Sequence, residues 1–173
     1  MTAERVGSFV ASVDLSKLTG TARAKALKDL EDMINRLSLD ERQRMRADRL
    51  AEGWFGAMTE EEKGAFIEAT MPTGFKQMLD AFEQLPEDKR RKTIEDALRG
   101  LRQTNTRLQA AQGGMPSGTN RSPAISPEIQ AQVRTLGLKS FYSQSSAQTK
   151  AELAPVLEEL QRAMESGRTF RGR

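Results

Sequence analysis

A chain of 173 residues with 37% hydrophobic and 29% charged content has room for one domain, or a domain with an appended piece. The apolar share lies below the ~45–50% of ordinary globular chains and predicts thin helical packing. There is no Cys and no His, which excludes thiol nucleophiles, disulfides, Cys/His zinc sites, imidazole triads and the Glu-x-x-His pairs of metal-binding bundles. The net charge is +3. Arg168, Arg171 and Arg173 account for it, because the stretch 166–173 holds no acid and residues 1–165 are balanced.

The N-terminal stretch MTAERVGSFVASVDLSK has too short an apolar run for a signal segment, and no run approaches the ~20 residues of a membrane span. The chain as given reads as soluble, either cytoplasmic or the soluble face of a membrane-anchored protein. Helical spacing begins in earnest near residue 20. Leu27, Leu30, Ile34 and Leu37 follow one helix face, with Met33 beside them.

The phrase LSLDE then gives the first helix start. Ser38 and Glu41 have the spacing of a capping box, in which each side chain serves the other's backbone N–H. The phrase recurs as MTEEE, with Thr59 and Glu62, as LPED, with Pro86 at the first helical position, and as ISPE, with Ser126 capping and Pro127 opening the helix. Each is preceded by an apolar staple residue, Leu37, Met58, Leu85 or Ile125. The unequal intervals between these starts argue against a solenoid, whose repeats keep a fixed period.

Between the first two starts, Leu50, Trp54 and Met58 continue the helical spacing after an Arg-rich run holding Arg42, Arg44, Arg46 and Arg49. Interleaved Glu41 and Asp48 make that run read as a salt-bridged, solvated face. Further on, Pro72 and Gly74 in TMPTGF predict a tight helix–helix corner with Met71 and Phe75 folded inward. Phe75, Met78, Leu79 and Phe82 form an apolar stripe, and Ile94, Leu98 and Leu101 form another. From Thr104 to Ala124 the Gly, Ser, Pro and Asn content predicts a flexible linker. Gly113 and Gly118 within it have phosphate-loop separation, but neither the Lys-Ser/Thr pair nor a preceding strand accompanies them.

Beyond the linker, Ser145 or Ser146 is the candidate cap of a last helix. Pro155 in that helix marks either a kink or its true first turn. Val156, Leu157, Leu160 and Met164 then make an amphipathic face fit for docking. The expected organisation is a helical body over 1–103, a linker over 104–124, a C-terminal helical hairpin over 125–165 and a basic tail over 166–173. The fold class is all-α: an irregular antiparallel helical bundle followed by a flexible linker and the hairpin.

The stretches MTEEEKGAFIEATMPTGFKQMLDAFEQLPEDKRRKTIEDAL and GLKSFYSQSSAQTKAELAPVLEELQRAMESGR resemble uncharacterised bacterial helical proteins, some with an N-terminal membrane anchor. The resemblance implies a helical fold and, in a native form, a tether at a membrane; it implies no activity and no site residues. The capping phrases are also similar to the helix-starting LTxxQ motifs of helical periplasmic stress chaperones. This chain departs from them, with Glu41-Arg42-Gln43 and Glu61-Glu62-Lys63 around the position of the motif's Gln.

Carboxylates are the obvious acid/base residues left, and consecutive Glu60, Glu61 and Glu62 point around a helix start without converging. The sequence therefore predicts a non-enzymatic protein-interaction or scaffold protein without cofactor or metal, acting on a protein partner or by self-association. Phe75, Met78 and Phe82, or Val156, Leu157, Leu160 and Met164, are the candidate partner-binding residues, although each set reads first as packing within the chain itself. The alternative is an accessory nucleic-acid or anionic-surface binder, with Arg42, Arg46, Arg49, Arg168, Arg171 and Arg173 as the candidate contacts.

Overall fold

The structure is a computed structural model that describes the backbone of residues 1–111 and 126–168, and the side chains of 1–103 and 126–162. Among the described residues there are eight helices and no strand. Helix α1 (Ala3–Ser12) is followed by a single 3-10 turn (Leu15–Lys17), then α2 (Gly20–Asn35), α3 (Leu39–Ala47), α4 (Glu52–Ala57) and α5 (Glu60–Glu83). Helix α6 (Glu87–Ala111), α7 (Pro127–Gln144) and α8 (Ala147–Arg168) complete the order.

The chain divides into two compact units, Met1–Asp80 with Ser122–Gln144, and Ala81–Arg121 with Ser145–Arg173. The core of the first unit comes from α1 to α4. Val6, Leu15, Leu27, Leu30, Ile34 and Leu37 are buried together with Met45, Trp54 and Met58, and Phe9, Leu50, Phe55 and Phe66 pack at its rim. Burial of each large aliphatic side chain contributes about 1.5–3 kcal/mol. Helix α7 also belongs to this unit. Gln132 on α7 donates from Nε2 to Gly64 O at 3.1 Å, and a Cβ at Gly64 would stand 2.9 Å from Gln132 Oε1, so the missing side chain on α5 permits the approach.

In the second unit α6 packs on α8. Arg90 forks onto Glu152 at 2.8 and 3.1 Å, and Arg102 approaches Glu159 at 3.6 Å. At the start of α8 the Ser146 hydroxyl accepts from the Thr149 N–H, while Glu83 accepts from the Ser146 N–H and the Thr149 hydroxyl. Helices α7 and α8 thus follow one another as expected, but take different packing partners.

The capping phrases start helices where expected, with two reassignments: Pro86 stands one residue before α6, where its carbonyl accepts from the Arg90 N–H at 2.9 Å, and Glu41 serves another helix. Thr59 and Glu62 close the full box, at 2.8 Å from Thr59 N–H to Glu62 and 3.2 Å from Glu62 N–H to Thr59. Ser126 caps α7, with Pro127 as its first residue. Ser38 caps α3, but the Glu41 carboxylate accepts from Ala3 N–H at 2.7 Å and closes the start of α1.

Several other expectations are corrected. TMPTGF is no corner, since α5 runs through Pro72 without interruption. A proline inside a helix costs about 3 kcal/mol through its missing N–H and its ring. Here carbonyls beside it gain side-chain donors from other helices: Asn35 Nδ2 to Ala69 O at 2.9 Å and the Arg42 guanidinium to Thr70 O at 3.5 Å. Pro155 likewise lies inside α8 and does not begin it. The Arg-rich run is not continuous with Leu50–Met58, because Arg49 takes a left-handed backbone (φ 55°) and turns the chain from α3 into α4. Helix α6 extends to Ala111, past the start of the expected linker. The rest of that linker, with Gly113 and Gly118, lies outside the described residues.

Helix α1 has no counterpart in the sequence reading. Its Ala3 and Val6 are fully buried. The Trp54 indole N–H lies 3.2 Å from both Val10 O and Val13 O and serves carbonyls at the end of the helix. No basic residue stands in its last turn to do so.

Candidate functional site: a cavity over a buried arginine

Ser38 starts α3 so that Arg42 and Met45 turn inward, one helical turn apart, and Arg46 follows Arg42 on the same side. With Ile34 of α2, Phe55 of α4, Val133 of α7, and Phe66, Ile67, Thr70, Met71 and Gly74 along one face of α5, these residues line a cavity of about 450 Å³ that opens to solvent within the first unit. Its walls are mainly apolar. Arg49 and Glu52 stand at the same cavity, paired with each other at 2.9 Å.

Arg42 is the unusual member. It is 5% exposed, and its contacts are all neutral: Ile34 O at 2.9 Å, the Gln77 side-chain oxygen at 3.2 Å and Thr70 O at 3.5 Å. No carboxylate among the described residues lies within ion-pair distance. Burial first, and the charge of Arg46 second, hold its pKa below the ordinary arginine value. The cation closes the end of α2, where Ile34 O is one of the last carbonyls. Gln77 completes the stitch by donating to Leu37 O at 2.7 Å. Gly74 makes the passage possible, since a Cβ there would meet Arg42 Cδ and a terminal guanidinium nitrogen at 3.3 Å.

The walls are fixed at a distance by a second arginine. Arg23 on α2 grips Glu62 on α5 with two bonds, at 2.7 and 2.8 Å, and also donates to Leu15 O and Ala57 O. This latch ties the early parts of α2 and α5, whose later parts carry Ile34 and the Phe66–Gly74 face. It also pulls the Glu62 carboxyl down to about 2, with the Thr59 N–H helping and burial opposing.

Of the residues expected to contact a polyanion, Arg42, Arg46 and Arg49 are brought together around the cavity and not along a surface row. Arg44 is paired with Glu41 at 3.3 Å, while Arg46 is exposed without an ion pair among the described residues. The side chains of Met164 and Arg168, and all of Arg171 and Arg173, lie outside the described residues. Of the expected partner-binding residues, Phe82 is buried, Phe75, Val156 and Leu157 are half-buried, and Met78 and Leu160 are exposed.

Sequence reasoning missed a further pair. Leu138 and Tyr142, four residues apart on α7, are 43% and 61% exposed. Their spacing was visible, but α7 lacks a clear apolar stripe from which an outward face could be read. Among the described residues no group of three acidic side chains is arranged to hold a metal ion, and no helix is long and apolar enough to cross a membrane. No protein-family model matches the chain, and neither a curated protein nor a solved structure shows significant similarity to it.

Proposed function

We propose that the chain is a non-enzymatic helical protein that acts through protein–protein contact, and that a second copy of itself is the first partner to test. The supporting observation is the outward pair Leu138 and Tyr142 on α7, one helical turn apart. A large exposed aliphatic beside an exposed tyrosine supplies the apolar area and polar tip that anchor interfaces. Met78 on α5 is a further exposed apolar side chain of the same unit. Residues 1–165 carry no net charge, so long-range repulsion between copies is confined to the +3 of the C-terminal tail.

The nucleic-acid reading has less support from the geometry. Arg42 is buried, and Arg44 and Arg49 are paired with Glu41 and Glu52, so α3 offers no row of free cations to a phosphate backbone. Light-scattering mass of the full chain tests the proposal. A concentration-dependent mass above 19.2 kDa that falls to the monomer in Leu138→Glu/Tyr142→Glu, with the circular dichroism of the folded chain retained, is the expected result. A monomer at every concentration refutes self-association. A variant that associates as the parent does refutes this face.

A further inference from the structure

We propose that the cavity over Arg42 is a binding site for an apolar monocarboxylate, a fatty-acid-like molecule whose carboxylate meets the arginines and whose chain lies along the α5 wall. Charge is the first argument. A buried cation is expensive unless a negative partner or full hydrogen bonding compensates it, and Arg42 has neutral acceptors only. Its three contacts, one of them long, do not exhaust the N–H groups of a guanidinium. Arg46 and Arg49 add positive charge at the same cavity, whose one acidic neighbour, Glu52, is already engaged by Arg49. The site therefore carries uncompensated positive charge beside an apolar wall.

Backbone strain is the second argument. Arg49 is the one non-glycine residue with positive φ among the described residues, a conformation that costs an L-residue about 1–2 kcal/mol. Such costs concentrate at functional positions, and this one is borne by an arginine at the cavity, where glycine would fit without strain. The third argument is size and lining. About 450 Å³ falls in the range of ~300–1,000 Å³ typical of small-molecule sites. Phe55, Phe66, Ile67 and Val133 give an apolar wall, and Met45 and Met71 give walls that adapt to a flexible chain. The N–H groups that Arg42 leaves unused after Ile34, Thr70 and Gln77 suit one carboxylate as a charge-assisted acceptor. A nucleotide or inorganic phosphate would leave most of this lining unused.

The test uses the full chain with ¹³C-labelled methionine methyl groups, titrated by NMR with decanoate below its micellar concentration, with decanol and with inorganic phosphate. Expected are saturable shifts of the Met45 and Met71 methyls with decanoate at a Kd below ~1 mM, with Met1 and Met78 unmoved. Decanol, the same chain without charge, should bind at least about tenfold more weakly. Arg42→Gln should lose about as much, and Arg46→Glu should also weaken binding. If Arg42→Gln does not fold, Arg46→Glu and the cavity-filling Ile67→Trp carry the comparison. Equal binding of decanol would reduce the site to an apolar hole and overturn the proposal. So would phosphate binding as tightly as decanoate, shifts confined to Met1 and Met78, or no saturable shift.

Discussion

The Arg23–Glu62 latch makes a quantitative prediction because its charge state is coupled to folding. The Glu62 carboxyl ordinarily titrates at 4.5 and is lowered to about 2 in the folded chain, chiefly by the Arg23 hydrogen bonds. A carboxyl with a depressed folded pKa contributes stability that is fully present above 4.5 and is lost as the pH falls towards 2, because the unfolded chain then takes the proton more readily. Taken at ~1.4 kcal/mol per pH unit the gain would be about 3 kcal/mol, which solvent screening of partly exposed side chains reduces to roughly 2 kcal/mol. The side-chain exposures are 17% for Arg23 and 23% for Glu62, so the screening is partial.

Glu62→Gln keeps the side-chain length and removes the charge. At neutral pH it should lower the stability of the first unit by roughly 2 kcal/mol. The deficit should shrink as the pH is lowered from 4.5 towards 2. Urea unfolding followed by fluorescence of Trp54, the sole tryptophan and a core residue of that unit, reads this at the unit that holds the latch. Other carboxylates titrate in both proteins and cancel in the difference. An unchanged midpoint at neutral pH, or a deficit that persists undiminished at low pH, would refute the reasoning.

Three further substitutions probe other parts of the first unit. Trp54→Phe removes the indole donor shared by Val10 O and Val13 O, and should cost about 1–2 kcal/mol; the far-UV melting temperature should fall and α1 amides should exchange faster, and unchanged exchange would refute the link. Pro72→Ala restores a backbone donor inside α5 and should raise the urea midpoint by about 1–3 kcal/mol equivalent; a loss of stability would mean that the bonds from Asn35 and Arg42 depend on the proline's local geometry. Arg49→Gly relieves the left-handed backbone at φ 55° and should leave stability unchanged or higher by up to about 1 kcal/mol, while weakening decanoate binding; marked destabilisation would show the Arg49–Glu52 pair to be structural first.

What was legible in the sequence was local. Capping phrases act within three residues, so Ser38, Thr59 and Ser126 announced helix starts that the structure contains. Errors arose where distant residues override local preference. Helix α1, with Gly7 and two valines, is closed by Glu41 at one end and Trp54 at the other, and neither is visible from its own stretch. Pro72 signalled a corner correctly as a local preference, yet carbonyls beside it receive donors from α2 and α3. The cavity was illegible for the same reason. Five helices contribute to it, and the acceptors that hold Arg42 include backbone carbonyls, which leave no signature in a sequence.

Arg42 joins the fold to the candidate site, and the two roles separate on thermodynamic grounds. A cation that only closes a helix end gains about 0.3–1 kcal/mol from the exposed dipole, less than the several kcal/mol that burying an uncompensated charge costs. Neutral hydrogen bonds to Ile34, Gln77 and Thr70 offset part of that cost, and Arg46 adds to it. If closure of α2 were the whole role, Arg42→Gln would lower stability and decanoate would change the melting of neither protein. If Arg42 is also the floor of a carboxylate site, decanoate at about a hundred times its Kd should stabilise the parent chain by about 2.7 kcal/mol. The same concentration should leave Arg42→Gln nearly unmoved. The difference between the two ligand responses, and not the stability of either protein alone, measures the second role.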